Sequence, residues 1–351
     1  GGTLGWGHYA PQASIAVRML TFDEHCPDDA WWHMQIAQAV AVRRDLNLFQ
    51  SANQNACRLV HAEGDGLPGL IADLYNGVLV LQCHTPGMHR ALPTLVEAFK
   101  EALGDTLVGI YDKSAKTLLK NGGEASEDGW VWGSAPEGHF ATEHGHRFDI
   151  DWEKGQKTGF FLDQRENRAL LGSLSKGKKV LNVFSYTGGF SIYAMKAGAT
   201  EVHSLDSSQR ALDVCEDNVR LNELPFQSHT PIQADALEYL KADELGDYDI
   251  VVLDPPAFAK RASARHAAVQ GYKRINLRAL QGMKPGSLLF TFSCSQAVDD
   301  TLFANTIVAA AIQAGRTVRI LHRLHQPPDH PVNVFHPEGS YLKGLVVRVD
   351  D

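Results

Sequence analysis

The chain has 351 residues, of which 33 are Lys or Arg and 41 are Asp or Glu, so its formal net charge at pH 7 is −8. Hydrophobic residues make up 44% and charged residues 21% of the sequence, a balance typical of globular proteins that excludes an intrinsically disordered chain. This length exceeds what one hydrophobic core usually spans, so we expect two or more domains. No apolar run reaches the roughly 18 residues that a membrane-spanning helix requires.

Cysteine and histidine spacing argues against a bound metal. The five cysteines are Cys26, Cys57, Cys83, Cys215 and Cys294, and no two of them form a Cys-x-x-Cys pair. The 16 histidines include no His-Glu-x-x-His sequence, so no protein-bound metal is expected. The odd cysteine count and the lack of a signal peptide at the start of the sequence predict a reducing, cytoplasmic location.

The first 150 residues predict a mixed α+β region. Two β-rich runs flank Asn76-Gly77, which predicts a β-hairpin with a type I′ turn, because both central residues of that turn need positive φ. The other predicted elements of this region are a short strand at 14–20, helices near 29–50 and 90–103, a strand near 107–111, and short edge strands within 121–147.

From about residue 151, strands alternate with helices, which predicts a doubly wound α/β sheet. Such sheets bind ligands at the carboxyl ends of their strands. The predicted strands lie at 179–184, 201–206, 231–233, 248–253, 287–292, 318–321 and 342–349, with helices at 190–196 and 208–222.

Polar or glycine-containing residues follow four of these strands in turn. The first strand leads into Asn182-x-Phe184-Ser185-Tyr186-x-Gly188-Gly189, which lacks the Gly-x-Gly-x-x-Gly spacing of dinucleotide-binding proteins and so argues against a nicotinamide dehydrogenase. The second ends in Asp206, suited to accept both ribose hydroxyls, and the third is followed by Asp235, suited to an adenine edge. Each alone is typical of a strand-end turn, but the ordered set favours a nucleoside site.

The last two strand ends carry the residues best suited to chemistry. Asp254-Pro255-Pro256 follows an apolar strand, and two prolines make a rigid tip that could hold a planar base. Cys294 lies between two serines at the end of the next strand, where a thiol can act as a nucleophile. The other four cysteines are interpreted as small buried hydrophobic residues.

The acidic net charge by itself argues against a nucleic-acid partner, but the segment 259–278 is locally basic. The segment has no acid and contains six basic residues: Lys260, Arg261, Arg265, Lys273, Arg274 and Arg278. Such a run is typical of a solvated helix face, but beside the predicted site we interpret it as a flap that contacts phosphates. We therefore expect one basic face on an otherwise acidic protein.

Several motifs together resemble the bacterial 23S rRNA cytosine-5 methyltransferase family of the large-subunit I type. They are Lys157-Thr-Gly-Phe-Phe-Leu-Asp-Gln-Arg165 and the segments 58–71, 182–190, 254–258, 293–295, 329–332 and 337–344. The resemblance implies a PUA-like remnant at 1–22, a central α+β domain at 23–150, and a class I methyltransferase domain with a Rossmann-like sheet at 151–351. It further implies S-adenosylmethionine as cofactor and 23S rRNA as partner, with a homodimer left open.

The same resemblance implies roles for individual residues. The Cys294 thiolate would attack C6 of a cytosine, while Asp254 would hydrogen-bond N3; the base that removes the C5 proton is not assigned. The cofactor would be surrounded by Lys157, Phe160, Asp163, Asn182, Phe184, Ser185, Tyr186, Gly188, Asp206, Ser207, Asp235 and Asp254. The substrate would meet Pro255, Pro256, Phe258, Lys260, Arg261, Arg265, Lys273 and Arg274, with a core role for Phe258 an equal alternative.

Two other functions remain open at the level of sequence. Asp-Pro-Pro tips also serve enzymes that methylate nitrogen, so a purine-nitrogen rRNA methyltransferase is one alternative. That reaction needs no covalent nucleophile, and Cys294 therefore discriminates between the two. The other alternative is a non-catalytic RNA-binding or ribosome-assembly factor that keeps the fold but does not bind the cofactor.

Overall fold

A computed structural model describes residues 2–11, 13, 15–121, 123–241, 243–259 and 262–351. The chain divides into two compact units. The first comprises Gly1–Leu162 with Pro327–Gly339, and the second comprises Asp163–Gln326 with Ser340–Asp351. The predicted PUA-like character of residues 1–22 and the predicted boundaries at 22 and 150 stay predictions.

The first unit is built from small antiparallel pairs, a mixed sheet and four helices within the described residues. In chain order its elements are β1 (Trp6–Tyr9), β2 (Val17–Thr21), α1 (Asp29–Asp45), β3 (Ala56–His61), β4 (Leu70–Tyr75), β5 (Val78–Cys83), α2 (Pro86–Arg90), α3 (Leu92–Leu103), β6 (Gly109–Asp112), α4 (Ala115–Lys120), β7 (Gly129–Gly133), β8 (Ala141–Glu143) and β9 (His146–Phe148). Strands β3 to β7 form one sheet in sequence order, while β1 pairs with β2 and β8 pairs with β9.

The predicted hairpin is confirmed in the pairing of β4 with β5. Asn76 has φ 46° and Gly77 has φ 86°, so both central residues of the turn adopt the positive φ that a type I′ turn requires. Four elements of this unit were not predicted from the sequence, namely β1, α2, β3 and α4. All six residues of β3 are buried, which removes the alternation by which strands are recognised, and α4 is too short to show a helical period.

The second unit is a doubly wound sheet flanked by helices. Its elements are α5 (Arg165–Leu174), β10 (Lys179–Val183), α6 (Gly189–Lys196), β11 (Glu201–Asp206), α7 (Gln209–Leu221), β12 (His229–Gln233), α8 (Ala236–Tyr239), β13 (Ile250–Leu253), α9 (Arg265–Gly282), β14 (Leu288–Ser293), α10 (Asp300–Ala314), β15 (Val318–His325) and β16 (Lys343–Val349). Among the described residues the strand order is β12-β11-β10-β13-β14-β16-β15. The first five strands are parallel, and β16 runs antiparallel to both of its neighbours.

This topology confirms the predicted α/β class and positions the site. The chain moves from β10 outward to β12, then returns to the other side of β10 for β13 and β14, so the order reverses between β10 and β13. Ligands of open α/β sheets bind at such a reversal, outside the carboxyl ends of the strands. The core beneath this edge includes Val251, Leu253 and Leu289 from the strands with Tyr272 and Phe303 from α9 and α10, all of them buried.

Candidate active site

The parallel strands of the second unit end along one edge of the sheet, and the predicted site residues lie there. Asp206 is the last residue of β11, and Asp235 follows β12 after one intervening residue. Asp254 directly follows β13, and Cys294 directly follows β14. Because β13 and β14 pair in parallel, with Leu253 opposite Thr291, Asp254 and Cys294 extend from neighbouring strands at the same edge.

The loop after β10 has an unusual backbone. Phe184 has φ 62° and Tyr186 has φ 49°, both in the left-handed region that bulky side chains rarely occupy. Such conformations cost about 1–3 kcal/mol each and persist where the surrounding structure enforces them, often at functional sites. Here the Tyr186 N–H donates to the Asp206 carboxylate (3.0 Å), and the Ser185 N–H donates to the Leu205 carbonyl (3.0 Å).

Three buried polar atoms around this loop have no hydrogen-bond partner among the described residues. They are Asn182 Oδ1, Ser185 Oγ and Thr187 Oγ1. The Asn182 amide is held in place because its Nδ2 donates to Ser191 Oγ (2.9 Å). An unsatisfied buried polar atom is costly, so a cluster of three indicates that a polar ligand completes the site.

The two acids at the neighbouring strand ends are held by backbone donors. The half-buried Asp206 carboxylate accepts from the N–H groups of Tyr186 (3.0 Å) and Ser208 (2.9 Å), one on each oxygen. Each oxygen keeps a lone pair, so the predicted ribose contact stays sterically and chemically reasonable. Asp235 is exposed and caps α8 by accepting from the Glu238 N–H (3.0 Å), and Ser207 is exposed as well.

The Asp254-Pro255-Pro256 tip joins the sheet edge to the core. Asp254 is half-buried, Pro255 is buried and Pro256 is exposed. The half-buried Phe258 ring packs 4.7 Å from the Tyr272 ring, and a Cβ at Gly271 would lie 2.9 Å from Phe258 Cδ2. This close packing supports the core alternative for Phe258 over base stacking.

Cys294 differs from the other cysteines in its surroundings. It is partly exposed between the buried Ser293 and Ser295, whereas Cys57, Cys83 and Cys215 are buried. Cys26, in the first unit, is exposed, so the expectation of a buried residue was wrong for it. Burial raises the pKa of the Cys83 thiol and of the Cys215 thiol to about 12, which keeps both thiols protonated near neutral pH. A nucleophile needs access as well as ionisation, and within the described second unit Cys294 is the cysteine with access.

Two of the predicted cofactor residues belong to the first unit. The Lys157 ammonium lies 4.5 Å from the centroid of the Phe161 ring, and Phe160 is buried against Phe148 with ring centroids 4.7 Å apart. Asp163, in the second unit, is buried and accepts a hydrogen bond from the Tyr341 hydroxyl (2.6 Å). The cofactor contacts of Lys157, Phe160 and Asp163 stay predictions.

Most of the described part of the basic segment is a helix, which was the alternative to the flap, and its contact with phosphates stays a prediction. From Arg265 onward it forms α9, because Ala268, Tyr272, Ile275 and Ala279 recur at helical spacing and are buried. Arg265 and Arg274 are exposed and Lys273 is half-buried, so α9 presents basic side chains to solvent as a regular helix. The predicted Lys260 and Arg261 lie outside the described residues.

Two residues next to Cys294 were not identified as site residues from the sequence. The Tyr272 hydroxyl bonds Ser295 Oγ (2.9 Å), which also accepts from the Ala259 N–H (3.2 Å). The buried Lys343 ammonium donates to the carbonyls of Ser295 (2.8 Å) and Val298 (2.6 Å). In the sequence, the feature that could have identified Lys343 is a charged residue at the start of a mostly apolar run, which forms strand β16.

Two classes of feature are absent from the described part of the chain. No group of three or more His, Cys, Asp or Glu residues there could hold a metal ion. No helix in the same ranges is both long and apolar enough to cross a membrane.

Comparison with known proteins identifies the family. Residues 57–348 match the family model described as S-adenosylmethionine-dependent methyltransferase. The chain is 41% identical over 350 residues to Ribosomal RNA large subunit methyltransferase I of Shewanella denitrificans, covering 99% of this chain and 87% of that protein. It is 38% identical to the protein of the same name from Alteromonas mediterranea, covering 100% and 88%.

Solved structures show the same fold. A Streptococcus mutans protein described as a candidate SAM-dependent methyltransferase superposes with a TM-score of 0.85 at 22% identity, covering 99% of this chain and 88% of that one. A methyltransferase structure complexed with SAH superposes with the same TM-score at 23% identity.

The site fits S-adenosylmethionine, whose ribose hydroxyls, ammonium and carboxylate need the kinds of partner present here. Asn182 Oδ1 can accept from an ammonium or hydroxyl, and the hydroxyls of Ser185 and Thr187 can donate to a carboxylate. Asp206 offers further acceptor positions in the adjacent turn. S-adenosylmethionine is the cofactor, and the chain belongs to the S-adenosylmethionine-dependent methyltransferase family.

Proposed function

We propose that this protein methylates C5 of a cytosine in 23S rRNA through a covalent adduct between Cys294 and C6. The observation that carries the proposal is the accessible Cys294 thiol on the strand next to the Asp254 tip. Relatives at 38–41% identity named for the large ribosomal RNA subunit support the substrate class.

The covalent step makes C5 of the cytosine nucleophilic enough to accept a methyl group. Cytosine C5 is a weak nucleophile, and addition of the Cys294 sulfur to C6 forms an S–C6 bond and moves an electron pair onto C5. In its protonated form the Asp254 carboxyl donates a hydrogen bond to N3, which is an acceptor, and so stabilises the charge that develops in the ring. When bound, S-adenosylmethionine would supply the electrophilic methyl group for the bond that C5 forms, and the electron pair of the broken S–CH3 bond would stay on the cofactor's sulfur. Loss of the C5 proton restores the C5–C6 double bond, and the S–C6 bond breaks to return the thiolate.

The substrate base must leave its stack for this reaction. C5 and C6 are reached from the enzyme only in a single-stranded or flipped-out nucleotide. The rigid Pro255-Pro256 tip would hold the flipped base, while Arg265, Lys273 and Arg274 on α9 would contact flanking phosphates.

Trapping on fluorinated RNA tests the mechanism. With 5-fluorocytidine at the target position, the C5 fluorine cannot leave as a proton does, so we expect a covalent RNA–protein complex that survives denaturation. Cys294→Ala should abolish the complex and lower the methyl-transfer rate about a thousandfold or more, as loss of a nucleophile does. Cys26→Ala is the matched control, because Cys26 is exposed in the other unit.

The modified nucleoside decides between the alternatives. Transfer of a labelled methyl group to bulk rRNA, followed by mass spectrometry of nucleosides, should yield 5-methylcytidine. A methylated purine would establish the purine-nitrogen reaction instead, and full activity of Cys294→Ala would refute the covalent cytosine mechanism. Absence of S-adenosylmethionine binding in calorimetry would favour the non-catalytic RNA-binding factor.

A further inference from the structure

The Lys343 side chain occupies an unusual position for a lysine. It is 4% exposed, and among the described residues its ammonium has carbonyl acceptors but no carboxylate within ion-pair distance. Burial of a charge without a counter-charge is expensive, and two carbonyl dipoles offset only part of that cost. Burial accordingly lowers the pKa of Lys343. A buried ammonium in this setting favours an anion nearby.

The sheet places this ammonium at the turn that follows Cys294. Lys343 is the first residue of β16 and lies directly opposite Ser293, the last residue of β14. Its side chain then reaches the turn that follows Cys294, where it contacts the carbonyls of Ser295 and Val298. A negative charge on the Cys294 sulfur acts on Lys343 and raises the pKa of its ammonium.

We propose that Lys343 is a positioning residue that holds the turn after Cys294 and stabilises the Cys294 thiolate. The inference rests on the proposed role of Cys294 as nucleophile. Removal of the charge would leave less thiolate at neutral pH, because an adjacent positive charge favours the ionised form of a thiol.

Other charged groups surround this pair from each packed element. Asp299 and Asp300 at the start of α10 oppose the lowering of the Lys343 pKa by burial. His325 on β15 lies opposite Lys343 and 3.8 Å from Asp300. Tyr272 on α9 stays a neutral phenol because burial raises its pKa. Asp254 lies at the end of the neighbouring strand. Within this set, Lys343 is the group that favours ionisation of the thiol.

The rate at which iodoacetamide alkylates Cys294, measured against pH, tests this role. Each cysteine is followed by peptide mass spectrometry in a Cys26→Ser background, since Cys26 is exposed. An ordinary cysteine ionises near pH 8.5, and we expect the native profile to have its midpoint about one unit lower. Lys343→Gln keeps N–H donors for the two carbonyls but loses the charge. It should raise the midpoint by about one unit and slow alkylation at pH 7 about tenfold, while Lys343→Arg restores both.

Lys284→Gln is the matched control, because Lys284 is 40% exposed, pairs with Asp249 and precedes β14 at the opposite end of that strand. Equal midpoints for the native protein and Lys343→Gln would overturn the inference. So would a native midpoint at or above about pH 8.5, which needs no Lys343 variant and therefore holds even if Lys343→Gln fails to fold. These outcomes are separate from the proposed function, which instead fails if Cys294→Ala still forms 5-methylcytidine.

Discussion

Tyr272→Phe probes the hydrogen bonds that join the two strand ends of the site. The Tyr272 hydroxyl and the Ala259 N–H both bond Ser295 Oγ, so one hydroxyl links helix α9, the segment after Pro256 and the residue after Cys294. The variant keeps the ring contacts with Phe258 (4.7 Å) and Phe303 (5.6 Å) and loses the hydroxyl alone. Burial raises the pKa of Tyr272, so the native phenol stays protonated and available as a donor at assay pH.

Loss of this buried hydrogen bond should lower the free energy of unfolding by about 1–2 kcal/mol. Because Ser295 follows Cys294 directly, we also expect kcat for methyl transfer to fall about tenfold, since a displacement of the nucleophile by a fraction of an ångström weakens alignment. Unfolding is followed by circular dichroism in urea, because all six tryptophans belong to the first unit. Initial rates at saturating RNA and cofactor give kcat.

Tyr239→Phe is the control for this experiment. It also removes one hydroxyl hydrogen bond from the second unit, and the Tyr248 hydroxyl that it leaves behind keeps its bond to His203. The control should lose a similar amount of stability or less and retain kcat. If Tyr272→Phe has a lowered free energy of unfolding but native kcat, the hydroxyl has a structural role alone. If its free energy of unfolding equals that of the native protein, the hydrogen bond itself is refuted.

Two further predictions concern the stability of the second unit. Gly188→Ala should lower the free energy of unfolding by about 2–5 kcal/mol, because Gly188 has φ 81° and a Cβ there would lie 2.2 Å from Cys215 Sγ. Gly246→Ala, where the new Cβ has an ordinary contact at 3.7 Å, is its control; equal urea midpoints for the two variants would contradict this reasoning. His229 is buried and its pKa is lowered to about 4, so the unfolded chain takes up its proton before the folded one does as pH falls. The free energy of unfolding should therefore decrease by up to about 3 kcal/mol as the pH falls from about 6.5 to 4. In His229→Gln this decrease should be smaller, which urea unfolding at pH 7 and pH 5 measures.

The parts of the site that lie at strand ends could be predicted because parallel strands follow a simple rule. Asp254 follows the apolar strand β13 and Asp206 ends the more polar strand β11, and the alternation of strands with helices predicts that their carboxyl ends meet at one edge. For the basic segment, a flap was favoured over a helix because its charge was considered before its helical periodicity. Ala268, Tyr272 and Ile275 recur at helical spacing, and that pattern, once tested, predicts α9.

Contacts made across the fold could not be predicted in the same way. Tyr272 lies 23 residues before Ser295 in sequence, and Lys343 lies 48 residues after it, so neither contact leaves a local pattern. The lack of hydrogen-bond partners for the side-chain oxygen atoms of Asn182, Ser185 and Thr187 likewise depends on how the folded loop packs, and not on a local sequence pattern. Such features follow from register and burial, which a single sequence does not specify.

The direction of β16 explains why a lysine from the end of the chain can act on Cys294. In a wholly parallel sheet the first residue of a strand lies at the edge opposite the ligand site. Since β16 runs antiparallel to β14, its first residue, Lys343, lies opposite Ser293 at the carboxyl end of β14. The reversed strand therefore brings the positive charge to the edge that holds Asp254 and Cys294. On this argument a substitution within β16 that shifted its register by two residues would separate Lys343 from the nucleophile while leaving the five parallel strands intact.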